Sequence, residues 1–212
     1  MKLTAGDRVK FRLAVKGGRS WVDRVDVVSA MPVDAGLQQT PATPVLVQVG
    51  ATIPDFELTD QFSQRLALSS LRGKVVAVTF IYSRCPLPDY CFRLSNNLSQ
   101  LNQRFASRMG RDLVLLSISF DPVHDQPKVL AKYASTWKAD PETWRFLTGA
   151  PEEVKAVSRQ FGLNFWPDEG YITHSLHTLV IDRQGRLAAD FEGNQFTARQ
   201  LGDYVEVLIS GR

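Results

Sequence analysis

Two uninterrupted apolar runs constrain the fold of this 212-residue chain more than any other feature. They read VVAVTFIY at residues 75–82 and DLVLLSISF at residues 112–120. Strands that are apolar on both sides are typical of a sheet whose two faces are both covered. Amphipathic helical patterns that can supply the cover lie at about residues 90–108, 126–137, 152–161 and 197–209. The chain is therefore predicted to form an α/β sheet flanked by helices.

The carboxyl-terminal third of the chain adds a strand pair to this sheet. LHTLVID at residues 176–182 turns through RQGR into LAADFE at residues 187–192, which predicts a hairpin with an antiparallel edge strand. A buried strand, a cysteine-bearing turn, a helix and a closing hairpin together predict a thioredoxin-like fold with a central mixed sheet. We assign residues 51–212 to this domain.

The amino-terminal residues have a different pattern. RVKFRLAV at residues 8–15 and SWVDRVDVV at residues 20–28 alternate apolar and polar side chains on either side of a glycine-rich turn. This pattern predicts a β-hairpin within residues 1–30. Residues 31–50 contain three prolines and two glycines without a helical period, and they are predicted to form a linker or an extended segment.

Composition excludes several classes of protein. The hydrophobic fraction of 44% can supply a sizeable core without a disulfide. The net charge is +3 and the basic residues are scattered, so nucleic acid is not expected as a partner. The longest apolar run has about eight residues, which is too short to span a membrane. No signal peptide is predicted after Met1.

Cys85 and Cys91 are the only cysteines, and they lie on either side of a proline-rich turn that follows the first apolar strand. The carboxyl end of such a strand is where α/β sheets commonly place their sites. Pro86 and Pro88 exclude a helix across the turn. Asp89 is a plausible helix N-cap, which would put Cys91 in the first helical turn.

That placement predicts a lowered pKa for both thiols. A sulfur in the first turn of a helix lies near unpaired amide groups and the positive end of the helix dipole, and Arg84 adds positive charge beside Cys85. The pair could serve as a redox couple, as two ligands of a soft metal, as a structural disulfide, or as two unrelated core cysteines. A peroxidase is also conceivable, but such a site expects Thr or Ser three residues before the reactive cysteine, and Tyr82 stands there.

The three histidines are candidates for a further ligand. His124 lies in the polar segment DPVHDQP and is expected to be exposed. His177 falls within the strand at residues 176–182, whereas His174 precedes it in a loop that faces the cysteine turn in a thioredoxin-like fold. Position alone leaves both open. Two thiolates and one imidazole would suit Cu(I), tolerate Cu(II) with an added ligand, and could also hold zinc.

Five segments of the chain resemble the SCO/SenC family of copper-binding, thioredoxin-like proteins, which assist assembly of the copper centre of cytochrome c oxidase. The resemblance covers about residues 51–209. The segments, in chain order, are PDFELTDQ at 54–61, VTFIYSRCP at 78–86, SFDPVHDQPKVLAKYA at 119–134, WRFLTG at 144–149 and HSLHTLVIDRQGRL at 174–187.

The resemblance implies a copper metallochaperone, with copper as Cu(I) or Cu(II) bound by Cys85, Cys91 and His174. It assigns a structural role near the site to the segment from Asp121 to Asp125. It also implies a copper-receiving oxidase subunit, or another copper or thiol protein, as partner, and a bacterial periplasmic location with a membrane tether that is not part of this chain.

The spacing of the cysteines departs from the family pattern. The family turn is CxxxC, whereas five residues separate Cys85 from Cys91. This leaves open whether the longer turn favours metal binding or disulfide chemistry. The alternative function is therefore a thiol–disulfide oxidoreductase that uses the two cysteines as its redox pair.

The amino-terminal hairpin resembles the closing strands of a small periplasmic copper-binding β-barrel module. The likeness rests on LTAGDRVKFRLAVKGGRSWVDRVDVV at residues 3–28. The strands that carry the ligands of such a module would precede residue 1. The alternative is an additional hairpin that packs on the main domain or on an oligomer partner.

Overall fold

The computed structural model describes residues 8–16, 19–29, 46–168 and 170–211. The chain divides into two compact units, residues 1–43 and 44–212. In the first unit, β1 (Arg8–Lys16) pairs with β2 (Arg19–Ser29) in antiparallel fashion. The predicted hairpin is confirmed. Most of the predicted linker, residues 31–45, lies outside the described residues.

In the part of the chain that the structure describes, the second unit contains nine strands: β3 (Glu57–Asp60), β4 (Arg65–Ala67), β5 (Val75–Ile81), β6 (Leu113–Ser119), β7 (Trp144–Thr148), β8 (Phe165–Asp168), β9 (Tyr171–His174), β10 (His177–Ile181) and β11 (Leu187–Glu192). Seven of them form one sheet with the order β11-β10-β5-β6-β7-β3-β4. The other two, β8 and β9, form a separate antiparallel pair.

The centre of the sheet is formed by the two apolar runs of the sequence. β5 and β6 run parallel and every residue in them is buried, while β7 extends the parallel part and β10 pairs with β5 in the opposite direction. Burial on both faces explains why these strands show no alternation of apolar and polar residues. The predicted α/β, thioredoxin-like fold with a mixed sheet is confirmed.

Four α-helices are described in this unit: α1 (Arg93–Arg104), α2 (Pro127–Thr136), α3 (Pro151–Gln160) and α4 (Ala198–Ser210). Their apolar stripes face the sheet, as the helical spacing of the buried Leu94, Leu98 and Leu101 in α1 illustrates. No helix among the described residues is long and apolar enough to cross a membrane.

The first helix begins later than predicted. Residues Pro88–Phe92 form a separate π-helical turn, in which Tyr90 has a non-helical backbone conformation (φ −106°, ψ −112°). Cys91 therefore lies in this turn and not in the first turn of α1. The expected N-cap is also wrong, because Phe92 occupies the N-cap position of α1 and Asp89 makes no capping hydrogen bond.

The segment just before the predicted domain already packs on the sheet. The amide of Val47 donates to the carbonyl of Gln160 at 2.9 Å, and that of Gly50 donates to the carbonyl of Leu187 at 2.7 Å. These hydrogen bonds fix residues 47–50 beside the end of α3 and the start of β11. The folded α/β unit thus includes chain that precedes residue 51.

Candidate metal centre

Cys85, Cys91 and His174 meet at one end of the sheet. Cys85 follows β5, Cys91 lies in the turn before α1, and His174 ends β9, where it pairs with Phe165 of β8. One donor atom from each of the three side chains lies within 4.8 Å of the other two. The β8–β9 pair therefore brings the imidazole to the cysteine turn.

The orientation of the imidazole is fixed by a backbone hydrogen bond. Nδ1 of His174 lies 2.8 Å from the carbonyl oxygen of Ser175. Because a carbonyl oxygen can only accept, Nδ1 carries the proton and Nε2 keeps its lone pair. Nε2 lies 4.0 Å from Sγ of Cys91, so the free lone pair is on the side of the ring that faces the sulfur.

Aromatic side chains hold the ring from several sides. The imidazole centroid lies 4.6 Å from that of Phe120 and 5.8 Å from that of Tyr82, with Tyr90 at 6.1 Å. Such contacts restrict rotation of the His174 side chain.

The start of the cysteine turn is anchored by a buried carboxylate. Asp125 has no exposed surface, and it accepts hydrogen bonds from the Ser83 amide at 2.9 Å and from the Ser119 hydroxyl at 2.5 Å. The Ser83 hydroxyl donates to the same carboxylate. The neighbouring Asp121 accepts from Arg84 at 2.9 Å. The segment from Asp121 to Asp125 thus positions the turn.

The two thiols differ in protonation. The neighbouring Cys91 thiol lowers the pKa of Cys85 to about 4 despite the partial burial of Cys85. The hydrogen bond to Cys85 and the burial of the sulfur raise the pKa of Cys91. The prediction that both thiols are readily ionised is therefore wrong for Cys91. The ion-free pair carries one thiolate, on Cys85, and one shared proton.

Arg84 does not have the predicted effect on Cys85, because its guanidinium forms an ion pair with Asp121. The negative charge of Cys85 acts instead on Tyr82. Burial, together with that charge, raises the pKa of the Tyr82 phenol to about 12. The phenol beside the thiolate is therefore neutral at physiological pH.

An open cleft of about 400 Å³ leads from solvent to the site. Cys85 and His174 line it, together with the largely exposed Leu87 and Tyr171. Cys91 is only 1% exposed and lies behind them. A small ion entering the cleft would therefore meet the Cys85 thiolate and the imidazole first.

The other two histidines lie outside this group. His124 is exposed, as predicted. His177 is buried in β10, and its Nδ1 lies 2.9 Å from a carboxylate oxygen of Asp190. Of the two histidines that position left open, only His174 lies with the cysteines. Both thiols are free, and their proximity rules out two unrelated core cysteines.

The sequence analysis did not single out Ser83 and Ser119. The sequence could have indicated them, because each serine lies at the carboxyl end of an apolar strand. The two strands are adjacent and parallel. Polar residues at such neighbouring ends meet at one edge of the sheet, where they can bind the same partner.

Comparison with known proteins identifies relatives. The family model described as SCO1/SenC matches residues 47–209. The SCO1 protein homolog of Bacillus subtilis is 25% identical over 149 residues, which cover 68% of this chain and 76% of the relative. The copper-bound structure of ScoI from Arabidopsis thaliana is 25% identical with a TM-score of 0.66, and the match covers 76% of this chain and 100% of that one.

The fold is also shared with BsSco, described as a member of the Sco family of cytochrome c oxidase assembly proteins and studied for a disulfide switch. The TM-score is 0.64 at 23% identity, and the match covers 76% of this chain and 95% of that one.

Proposed function

The chain belongs to the SCO1/SenC family, and from this premise we propose that it is a copper metallochaperone that binds one copper ion through Cys85, Cys91 and His174. The observation that carries the proposal is the convergence of the three donor atoms within 4.8 Å of one another.

The donor set fits copper. Thiolate ligands select Cu(I), and imidazole suits copper in either oxidation state. Cys85 is already a thiolate, and Nε2 of His174 already presents a lone pair. Only Cys91 must lose a proton when the ion binds, as metal-bound thiols do. Structural zinc sites almost always have four ligands, so a three-donor group favours Cu(I).

The proposed role is to receive copper and pass it to an enzyme of the cytochrome c oxidase type. The copper-bound Arabidopsis relative and the description of BsSco as an assembly protein support this. The partner is a copper-receiving oxidase subunit or another copper or thiol protein. The protein would act on the periplasmic side of a bacterial membrane, where a dithiol can also be oxidised.

Titration of the reduced protein with Cu(I) against a competing chelator tests the proposal. We expect one Cu(I) per chain. Replacing a residue that hydrogen-bonds to a metal ligand commonly costs about 10–100-fold in metal affinity, so His174→Ala, which removes a ligand itself, should weaken binding by at least about 100-fold. The matched control His124→Ala removes an exposed imidazole and should leave affinity unchanged. Equal affinities for the two variants would refute the ligand assignment.

A second candidate function is thiol–disulfide exchange by the same cysteines. The lowered pKa of Cys85 favours it, since the thiolate is the attacking species. Oxidation of the pair, one thiolate and one thiol, would form one S–S bond and pass two electrons and one proton to an acceptor disulfide, which takes its second proton from solvent and becomes two thiols. Measurement of the reduction potential tests this function. A value below about −300 mV, typical of inert structural disulfides, would contradict it.

A further inference from the structure

His177, Asp190 and Glu192 form a second group of donor atoms. In the β10–β11 pairing, His177 lies opposite Glu192, and Asp190 lies opposite Leu179. Residues two apart on a strand share a face, so all three side chains are on the same face of the sheet. One donor atom from each lies within 4.8 Å of the other two. None of these residues belongs to the copper site proposed above.

The group combines a buried imidazole with more accessible carboxylates. His177 is 5% exposed, Asp190 is partly exposed and Glu192 is the most accessible of the three. All three line an open cleft of about 420 Å³ beside residues 46–49. An ion can therefore reach the carboxylates directly from solvent, and the imidazole lies at the inner end of the group.

The charges of the carboxylates are not offset by nearby basic side chains. Among the described residues, Asp190 forms its one ion-pair contact with His177, and Glu192 forms none with a lysine or arginine. Arg159 lines the same cleft but forms no ion pair with either carboxylate. The two carboxylates carry like charges and repel each other at this separation. A cation bound between them and the imidazole would remove that repulsion.

We propose that His177, Asp190 and Glu192 bind a divalent transition-metal ion of the Zn²⁺ type. The set contains imidazole and carboxylate but no thiolate, so it suits a borderline divalent ion and not Cu(I). Ligand bonds of about 2.0–2.2 Å place neighbouring donors about 3–3.5 Å apart. The distance of 2.9 Å between Nδ1 of His177 and the Asp190 carboxylate needs only a small adjustment.

The ion replaces a proton at this position. Without metal, Nδ1–H of His177 donates to Asp190, since a carboxylate oxygen accepts. On binding, the proton on Nδ1 would pass to solvent and Nε2 would take one up, so that the imidazole stays neutral in its other tautomer and Nδ1 becomes a ligand. The open cleft leaves room for water to complete the coordination.

Titration with Zn²⁺ of a Cys85→Ser/Cys91→Ser variant tests the proposal, because this background removes the thiolates of the copper site. We expect one Zn²⁺ per chain in this background. Glu192→Gln is then added to this background. Because Glu192 is exposed, the substitution should not disturb folding. It should weaken Zn²⁺ binding by more than about tenfold, since even loss of a group that hydrogen-bonds to a ligand costs about that much.

Glu142→Gln in the same background is the matched control, because Glu142 is an exposed carboxylate that lies outside the group. It should bind Zn²⁺ as the background does. Absence of Zn²⁺ binding by the double serine variant, or equal affinities with Glu192→Gln and Glu142→Gln, would overturn the assignment. Neither result depends on whether Cys85, Cys91 and His174 bind Cu(I), because the background already lacks both thiolates.

Discussion

At the residue scale, the two cysteines differ in how readily each thiol loses its proton. The neighbouring Cys91 thiol lowers the pKa of Cys85 to about 4, whereas the interaction with Cys85 and burial of the sulfur raise the pKa of Cys91. Their different burial reinforces this difference, because Cys85 lines the cleft and Cys91 is enclosed. Cys85 is thus the sulfur of the pair that is accessible from solvent.

Alkylation of the metal-free, reduced protein measures this difference. An ordinary thiol has a pKa of about 8.5 and loses reactivity below it. The pKa of Cys85 is lowered to about 4. The rate at which Cys85 reacts with iodoacetamide should therefore stay nearly constant as the pH falls and decline only near pH 4. Peptide mapping should find the label on Cys85.

The Cys91→Ser variant probes the same hydrogen bond. A serine hydroxyl occupies a different position from a thiol and donates less well to the distant sulfur, so the pKa of Cys85 should rise towards its ordinary value. A wild-type rate that declines already near pH 8 would contradict the assignment of the thiolate to Cys85.

At the scale of secondary-structure elements, the site depends on how strand ends and turns are fixed. β5 and β6 end side by side, and Asp125 ties Ser83 after β5 to Ser119 at the end of β6. The β8–β9 pair positions the imidazole of His174. The arrangement of Cys85, Cys91 and His174 is therefore controlled in part by residues outside this group of three.

Asp125→Asn should affect both stability and copper binding. The carboxamide keeps the size of the side chain but presents a donor to groups that already donate, so a buried hydrogen bond is lost at a cost of about 1–3 kcal/mol. Copper affinity should fall about 10–100-fold. Urea unfolding and Cu(I) titration measure the two effects.

Asp60→Asn is the matched control for that variant. Asp60 is equally buried and pairs with Arg145, but its strand β3 is separated from β5 by β7 and β6. It should lose stability and retain copper affinity. Equal copper affinities in the two variants would show that Asp125 does not position the site.

The elements differ in how far the sequence predicts them. β5 and β6 were predictable because their continuous apolar character follows directly from burial on two faces. The β8–β9 pair was not, since FWPD and YITH are short, FWPD contains a proline, and the two strands pair only with each other. The start of α1 was predicted too early because the pattern of its apolar residues continues through Cys91, across the π-helical turn.

The sequence indicates which residues the structure brings together at the candidate site, but not their protonation. The proline-rich turn at a strand end indicates Cys85 and Cys91, whereas position left both His174 and His177 open and only the resemblance to the SCO/SenC family selected His174. Which thiol keeps the proton depends on distances between side chains that are remote in sequence. The ion pair that removes Arg84 from the thiol has the same origin.

At the scale of the whole molecule, the α/β unit has a continuous core that does not rely on a disulfide. Buried side chains from β5, β6, β7 and β10 and from the helices form one cluster, and both cysteines are free. The fold therefore does not require a bond between the two cysteines. Folding stability and copper binding can be measured on the same protein.

Copper should stabilise the reduced protein against urea. An ion that binds the folded chain adds about 2.7 kcal/mol when its free concentration is 100 times the dissociation constant. The Cys85→Ser/Cys91→Ser variant should show no such shift at the same free Cu(I). Equal shifts in the two proteins would mean that copper acts elsewhere on the chain.

X-ray absorption of the reduced, Cu(I)-loaded protein tests the central claim most directly, since it counts the atoms bound to the ion. We predict two sulfur ligands and one nitrogen ligand in the wild type, and loss of the nitrogen in His174→Ala with both sulfurs retained. A spectrum with two sulfurs and no nitrogen in both proteins would contradict the convergence of Cys85, Cys91 and His174 on one ion.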